Sequence, residues 1–296
     1  MHIVVGTVPI QDFPLVSGEV SMKGNMISIG ENLVSINRGT PALLAAAIKT
    51  SEYLDLPAPC AYLAGDIGLG QGSIRLYEYI ARHLGKSDSL VITFHYLLPN
   101  IDGHNKVLFA IEEMTSRPIL IADAGYMYAA KMSGQSTAYD LFTPDIGELA
   151  FLADEMAPHP FYTRGFILHD ENRVPELINR SYEHKNAARY LLVKGEKDYV
   201  VSEKGIAYII DSPLEEAMEA IGGTGDTLTG IVSALISKGI EIEEASFIAA
   251  RANRLAGHYA KPTPATQITE IISHIPKALE DIFLGNNNIE AWGKVL

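Results

Sequence analysis

Residues 221–230, IGGTGDTLTG, set glycines and threonines around one aspartate, Asp226, just ahead of a run with helical period. Glycine lets a backbone approach a ligand closely. A helix beginning near Thr224 would aim unpaired N–H groups and the positive end of its dipole at whatever binds there. An anion such as phosphate suits that seat, with Gly223, Thr224 and Gly225 as its backbone donors. An acid in the first turn also suits the dipole, so Asp226 has a structural reading. Beside a bound phosphate, however, a carboxylate is repelled unless it has chemistry of its own to do.

Other polar groups close short apolar runs: Asp66, Asp123, Asp145 with Glu148, and Lys194. In open α/β sheets, ligands sit outside the carboxyl ends of the strands, so these residues mark a candidate rim. Each also has an ordinary reading as a cap or turn former. Asp145 and Glu148, three apart after a Thr-Pro turn, fit a capping box. Facing a ligand, the same pair could hold magnesium through water. Lys194 ends the apolar YLLVKG as either a snorkelling surface residue or a phosphate contact. The loop GDIGLGQGS (65–73) has neither dinucleotide-fingerprint spacing nor a following Gly-Lys-Ser/Thr. Its Gly68 and Gly70 belong either to a loop capping a helix at Ser73 or to backbone that approaches a substrate. The histidines stand singly, without metal-ligand spacing, and read mostly as surface or satisfied core positions.

The elements that must position these groups are legible from periodicity. Strands are expected at IVVG (3–6), AYLAG (61–65), SLVITF (89–94), ILIAD (119–123), DLFTP (140–144) and YLLVKG (190–195). Helical segments fall near 40–53, 72–85, 104–115, 146–155 and 173–189. This alternation implies an α/β fold with a mostly parallel sheet buried on both faces. DYVVSEKGIAYIID reads as two strands joined by a tight SEKG turn. From Thr224 the chain reads as helix over 224–239, 242–259 and 267–283, and the asparagines at 286–288 read as a short loop. Residues 7–37 alternate loosely and could supply extra strands or an oligomer contact. With no linker, repeat or low-complexity tract, one domain over 1–296 is expected.

The chain of 296 residues carries 23 basic and 36 acidic side chains, a net charge of −13. That argues against nucleic acid or anionic membrane as a main partner, and it leaves a small anionic ligand compatible. With 47% hydrophobic residues and a mean hydropathy of +0.10, the composition is that of a soluble globular protein. The single cysteine, Cys60, excludes an internal disulfide and a Cys-rich zinc site, and leading into an apolar run it reads as a buried, inert thiol. MHIVVGTVPI lacks the basic region and long apolar core of a signal peptide. No window reaches about 18 uninterrupted apolar residues. The expected address is cytoplasmic.

In combination these stretches resemble the ribokinase-like superfamily, and within it the ADP- or ATP-dependent NAD(P)H-hydrate dehydratases. The resemblance is best over about 119–283. GGTGDTLTGIVSALISKG and the following EEASFIAARANRLAGHYA resemble the family's Gly-Thr-Gly-Asp helix and its successor. ATQITEIISHIPKAL resembles its closing segment. LFTPDIGELAFL stands where the family has Thr-Pro-His-Pro-Gly-Glu, and LLVKG with its hairpin is similar to the nucleotide-side strand. NRGTPALLAAAIKTSEYL (37–54) is similar to the first family helix.

The resemblance implies a three-layer ribokinase-like fold, ADP or ATP with Mg2+, and a small-molecule substrate. It casts Asp226 as the general base that takes a proton from the hydroxyl attacking the terminal phosphate. In the dehydratase that hydroxyl belongs to the hydrated nicotinamide, whose phosphorylated form eliminates to restore NAD(P)H. It implies nucleotide contacts from Lys194, Gly195, Glu196, Lys197 and Asp198 beside the Gly223–Gly225 seat. Asp145 would face the substrate, Asp123 would lie beside it, and Glu148 corresponds to the acid that organises magnesium.

Departures from the family pattern fall on the substrate side. Asp145 replaces a histidine, Ile146 a proline, and TFHYLLPN (93–100) stands in place of a Gly-Pro-Gly-Leu-Gly loop. Asp123 lacks the Asp-Ala-Leu-Asn continuation, and the basic glycine-rich N-terminal motif is absent. Three functions therefore stay open: the dehydratase, a small-molecule kinase of the same fold acting on an alcohol, and a non-catalytic nucleotide-binding protein. A homo-oligomer is the expected assembly.

Overall fold

The short apolar runs lie side by side because helices cover them on both faces. The computed structural model describes residues 1–84, 90–160 and 173–285. Six parallel strands form its centre: β1 (His2–Val8), β5 (Cys60–Gly65), β6 (Val91–His95), β7 (Ile119–Ala122), β8 (Leu141–Phe142) and β9 (Tyr190–Val193). They run in the order β9-β8-β7-β6-β1-β5. Beyond β9 the sheet continues antiparallel through β10 (Asp198–Ser202) and β11 (Gly205–Ile210). Beyond β5 it continues through β2 (Val16–Lys23), β3 (Met26–Ile29) and β4 (Asn32–Ser35). The 7–37 segment therefore supplies extra strands at one edge.

One face carries α1 (Thr40–Tyr53), α7 (Thr224–Ser237), α8 (Ile242–Ala260), α9 (Ile268–Ile272) and α10 (Ile275–Leu284). The other carries α2 (Gln71–His83), α3 (Ile101–Glu112), α4 (Gly125–Met132), α5 (Ile146–Ala153) and α6 (Val174–Glu183). Strand side chains alternate between the layers: Val4 and Val8 pack with the first set, Ile3 and Val5 with the second. Two hydrophobic layers on one sheet explain why these strands read as continuous apolar runs.

The seat-bearing helix α7 is fixed by close packing on α1. A Cβ on Gly230 would come within 2.2 Å of the Leu43 carbonyl oxygen and 3.0 Å of Ala46 Cβ. Gly230→Ala should therefore force the helices apart and destabilise the protein by about 1–3 kcal/mol, the cost of overpacking. Urea unfolding of the variant against the parent measures it, and an unchanged midpoint would show that the helices separate freely.

Several elements differ from the periodicity reading. The 267–283 helix is two helices, with Pro276 in the first turn of α10, where its missing N–H costs nothing. The DLFTP strand shortens to Leu141–Phe142 because Asp140 instead ties β7, accepting from Leu120 N–H at 2.9 Å. Helix α3 starts at Ile101, three residues early, because Asn100 caps it by accepting from Gly103 N–H. α4 was not expected at all. It follows Ala124, whose φ of 52° turns the chain abruptly after β7. Cys60 is half-buried at the start of β5 rather than sealed in the core, and burial raises its thiol pKa. Ser89, the end of the helix expected to reach 85, and the asparagines at 286–288 lie outside the described residues. Among the described residues, no helix is long and apolar enough to cross a membrane.

Candidate active site

Strands β6, β7, β8 and β9 are neighbours, so the residues closing them fall in a row along one rim: His95, Asp123, Thr143 with Asp145, and Lys194. The N-termini of α1 and α7 face that row. Between them lies a cleft of about 750 Å³. Gly223, Thr224, Gly225 and Asp226 line it, and so do Asp123, Asp145, Glu148, Lys194, Gly195, Glu196 and Asp198. Lys197 is exposed outside the lining. Gly68 and Gly70 also lie outside it, with φ of 94° and 82°. Their loop closes on itself: Asp66 accepts from the N–H groups of Gly68, Leu69, Gly70 and Ser73 and from the Ser73 hydroxyl. Burial would raise the Asp66 pKa, but these donors outweigh it and hold the carboxyl below its usual range.

At the start of α7 the chain takes φ 102° at Gly223, which caps the helix without a side chain. The first-turn N–H groups consequently have no intrahelical acceptor. A Cβ on Gly225 would sit 3.5–3.6 Å from the end of the Lys194 side chain, so glycine keeps open the space between the ammonium and the helix start. Lys194 Nζ stands 2.9 and 3.0 Å from the two Asp123 oxygens. Asp123 also accepts from Thr229 Oγ1 at 2.6 Å and from Ala124 N–H at 2.8 Å. Burial alone would lower the Lys194 pKa, but Asp123 and Glu148 outweigh it and keep the ammonium charged.

Asp226 occupies the third position of α7 and is nearly buried. Its Oδ2 accepts from Gly39 N–H at 2.6 Å, and its Oδ1 lies 3.0 Å from His95 Nε2. Burial pushes its pKa up, but the His95 hydrogen bond, the Lys194 charge and the Gly39 amide together bring it below the ordinary aspartate value. The carboxylate is thus held ionised and partly desolvated at the edge of an anion seat. Ring nitrogen and carboxylate atoms of His95, Asp123 and Asp226 all lie within 4.8 Å of one another. The Lys194 ammonium already supplies positive charge to that cluster.

Asp145 and Glu148 form the capping box: Asp145 N–H donates to Glu148 Oε2 at 2.8 Å and Glu148 N–H to Asp145 Oδ1 at 2.7 Å. Burial, then the Asp145 charge, raise the Glu148 pKa well above its ordinary value. The 194–198 turn is braced from α8. Arg254 donates to Asp198 Oδ2 at 2.7 Å and to the carbonyls of Gly195 and Glu196 at 3.1 and 2.8 Å. Arg38, Gly39, Thr40, His95, Tyr96, Asn253 and Arg254 join the site without having been singled out from the sequence. His95 was legible only as a histidine ending an apolar strand.

Six parallel strands between two helical layers, with a Gly-Thr-Gly-Asp helix start beside a rim lysine, make up a ribokinase-like α/β fold. A ribokinase-like superfamily protein from Enterococcus faecalis superposes with a TM-score of 0.56 at 13% identity, covering 95% of this chain and 86% of that one. The family model for NAD(P)H-hydrate dehydratase matches residues 98–277, and the chain belongs to that family. A protein of Methanocaldococcus jannaschii described as uncharacterized is 47% identical over 240 residues, 81% of this chain and 99% of that one. The bifunctional NAD(P)H-hydrate repair enzyme Nnr of Pyrobaculum aerophilum is 27% identical over 270 residues, 86% of this chain. The match takes in half of that longer enzyme. The ADP/ATP-dependent NAD(P)H-hydrate dehydratase of Bacillus subtilis, co-crystallized with ATP/Mg2+, superposes with a TM-score of 0.54 at 14% identity over 95% of this chain and 89% of that one.

Proposed function

We propose that this chain dehydrates hydrated NAD(P)H at the expense of ADP or ATP, with Asp226 as the general base. The observation that carries the reading is the Asp226 carboxylate in the first turn of α7, within the cleft, bonded by Gly39 N–H and His95 and next to backbone donors suited to phosphate. The substrate hydroxyl gives its proton to Asp226 while its oxygen takes the terminal phosphoryl group, whose bond to the nucleotide breaks so that ADP leaves from ATP, or AMP from ADP. The carbon–oxygen bond then breaks with phosphate as leaving group, and loss of a neighbouring C–H proton restores the ring double bond. General-base help of this kind contributes about 10²–10⁴-fold.

The residues present fit a nucleotide with magnesium. Lys194 and the open space at Gly225 offer a cation and backbone donors to a phosphate chain. Elsewhere the lining is acidic, including Glu196, Glu215, Glu216 and Glu219, with Arg38 and Arg254 as further cations. Such walls disfavour a bare polyphosphate and favour one whose charge a dication has reduced. Glu148, held high in pKa by burial and Asp145, is the carboxylate whose ionised form a dication would stabilise. Magnesium would supply charge neutralisation on the phosphates.

Incubating the protein with hydrated NADH, magnesium and ADP or ATP tests the reading. Return of the reduced-nicotinamide absorbance is expected, and its absence with both nucleotides would overturn it. A kinase of the same fold is the second reading, favoured by His95 and Tyr96 filling the rim where the family has a glycine-rich loop. It predicts alcohol-dependent release of ADP from ATP without restored absorbance.

A further inference from the structure

Asp226 is held by an array that reaches back into the core. His95 closes β6, its ring fully buried. Its Nε2 lies 3.0 Å from Asp226 Oδ1, and its Nδ1 lies 3.0 Å from Thr40 Oγ1. Hydroxyl, imidazole and carboxylate in line have the order of a hydrolytic triad, but access runs the other way. Thr40 is 0% exposed, and a Cβ on Gly6 would stand 2.5 Å from its Oγ1. Its hydroxyl therefore cannot reach a substrate, whereas the Asp226 side chain is 11% exposed and lines the cleft. The carboxylate is the working end and the threonine is the anchor.

An ionised carboxylate only accepts hydrogen bonds, so Nε2 carries the ring proton that points at Oδ1. Gly39 N–H occupies one lone pair of Oδ2. A side chain that merely filled volume at the end of β6 would need neither nitrogen; here both are used. The backbone just beyond is also constrained. Tyr96 has φ 53°, a costly conformation for a non-glycine residue, and its carbonyl accepts from Thr7 Oγ1 at 2.6 Å.

We propose that His95, anchored through Thr40, is a positioning residue that fixes the Asp226 carboxylate against rotation and aims its remaining lone pairs at the acceptor hydroxyl. This rests on the reading of Asp226 as the base. His95→Leu removes the donor, His95→Gln restores an N–H on a side chain of similar reach, and Thr40→Val removes the anchoring hydroxyl at nearly constant shape.

His95→Leu should lower kcat by about 10²-fold, the scale of a misplaced catalytic group, with the nucleotide KM unchanged. His95→Gln should recover part of the loss, and Thr40→Val should show a smaller one. The acid limb of kcat should move to higher pH in His95→Leu, because Asp226 loses a donor while Lys194, Tyr96, the Gly39 amide and the Asp123 carboxylate still face it. Carbon-13 NMR titration of the Asp226 carboxyl in the free protein reads the same upward shift without any substrate. Failure of turnover with hydrated NADH would thus overturn the function and still leave this contact measurable. Wild-type kcat and an unmoved Asp226 titration in His95→Leu would overturn the proposal. If that variant does not fold, the same two results in His95→Met, which also removes the donor, would overturn it.

Discussion

Asp226→Asn should lower kcat by about 10²–10⁴-fold while leaving nucleotide affinity largely intact. The amide has no lone pair basic enough to take the hydroxyl proton, yet it keeps the shape and adds no charge to the phosphate seat. Both oxygens of Asp226 now face N–H donors, Gly39 on one side and His95 on the other. An asparagine must turn its NH₂ toward one of them, leaving a buried donor unpaired at a cost of about 1–3 kcal/mol. The variant should therefore be somewhat less stable as well as nearly inactive. Steady-state kinetics with isothermal titration of ATP separates the two effects. A variant that binds ATP and turns over at the parent rate would remove Asp226 from the mechanism.

Lys194→Met should weaken both the fold and the nucleotide site. Its ammonium contacts both oxygens of Asp123, whose side chain is only 2% exposed. Removing one partner of a buried pair typically costs about 3–5 kcal/mol, because the other charge stays behind. Thr229 and the Ala124 amide still donate to Asp123, which argues for the lower end of that range. A lost charge-assisted contact to phosphate, worth about 1.5–3 kcal/mol, would weaken nucleotide binding by about 10–150-fold. The double variant Asp123→Asn, Lys194→Met removes the orphaned charge. It should recover part of the stability without recovering affinity. Denaturant unfolding and nucleotide titration of both variants check this, and equal stability of the single and double variants would contradict it.

The parallel strands were legible because two apolar layers impose unbroken hydrophobic runs, and α7 was legible because Gly223, Thr224, Gly225 and Asp226 are consecutive. What periodicity does not carry is pairing between strand ends. Asp226 and His95 are 131 residues apart, and Lys194 and Asp123 are 71 apart; the first pair meets because α7 packs on β6, the second because β7 and β9 both flank β8. His95 therefore looked like one isolated histidine among several. Gly68 and Gly70 show the opposite problem. Their glycine-rich loop has two local readings, and only the burial and donors around Asp66 show that it folds on itself. Asp145 and Glu148 kept both readings, since a capping box at the cleft wall is structural and also exposes carboxylates to the cavity.

The central claim is that phosphate binds at the start of α7 with the Asp226 base beside it. A crystal structure with magnesium and a non-hydrolysable ATP analogue tests this most directly. The terminal phosphate should lie within hydrogen-bond distance of the Thr224–Asp226 backbone N–H groups, near Lys194, with the open edge of Asp226 facing the space beyond it. A nucleotide seated elsewhere, or an Asp226 carboxylate turned away from that space, would contradict the account.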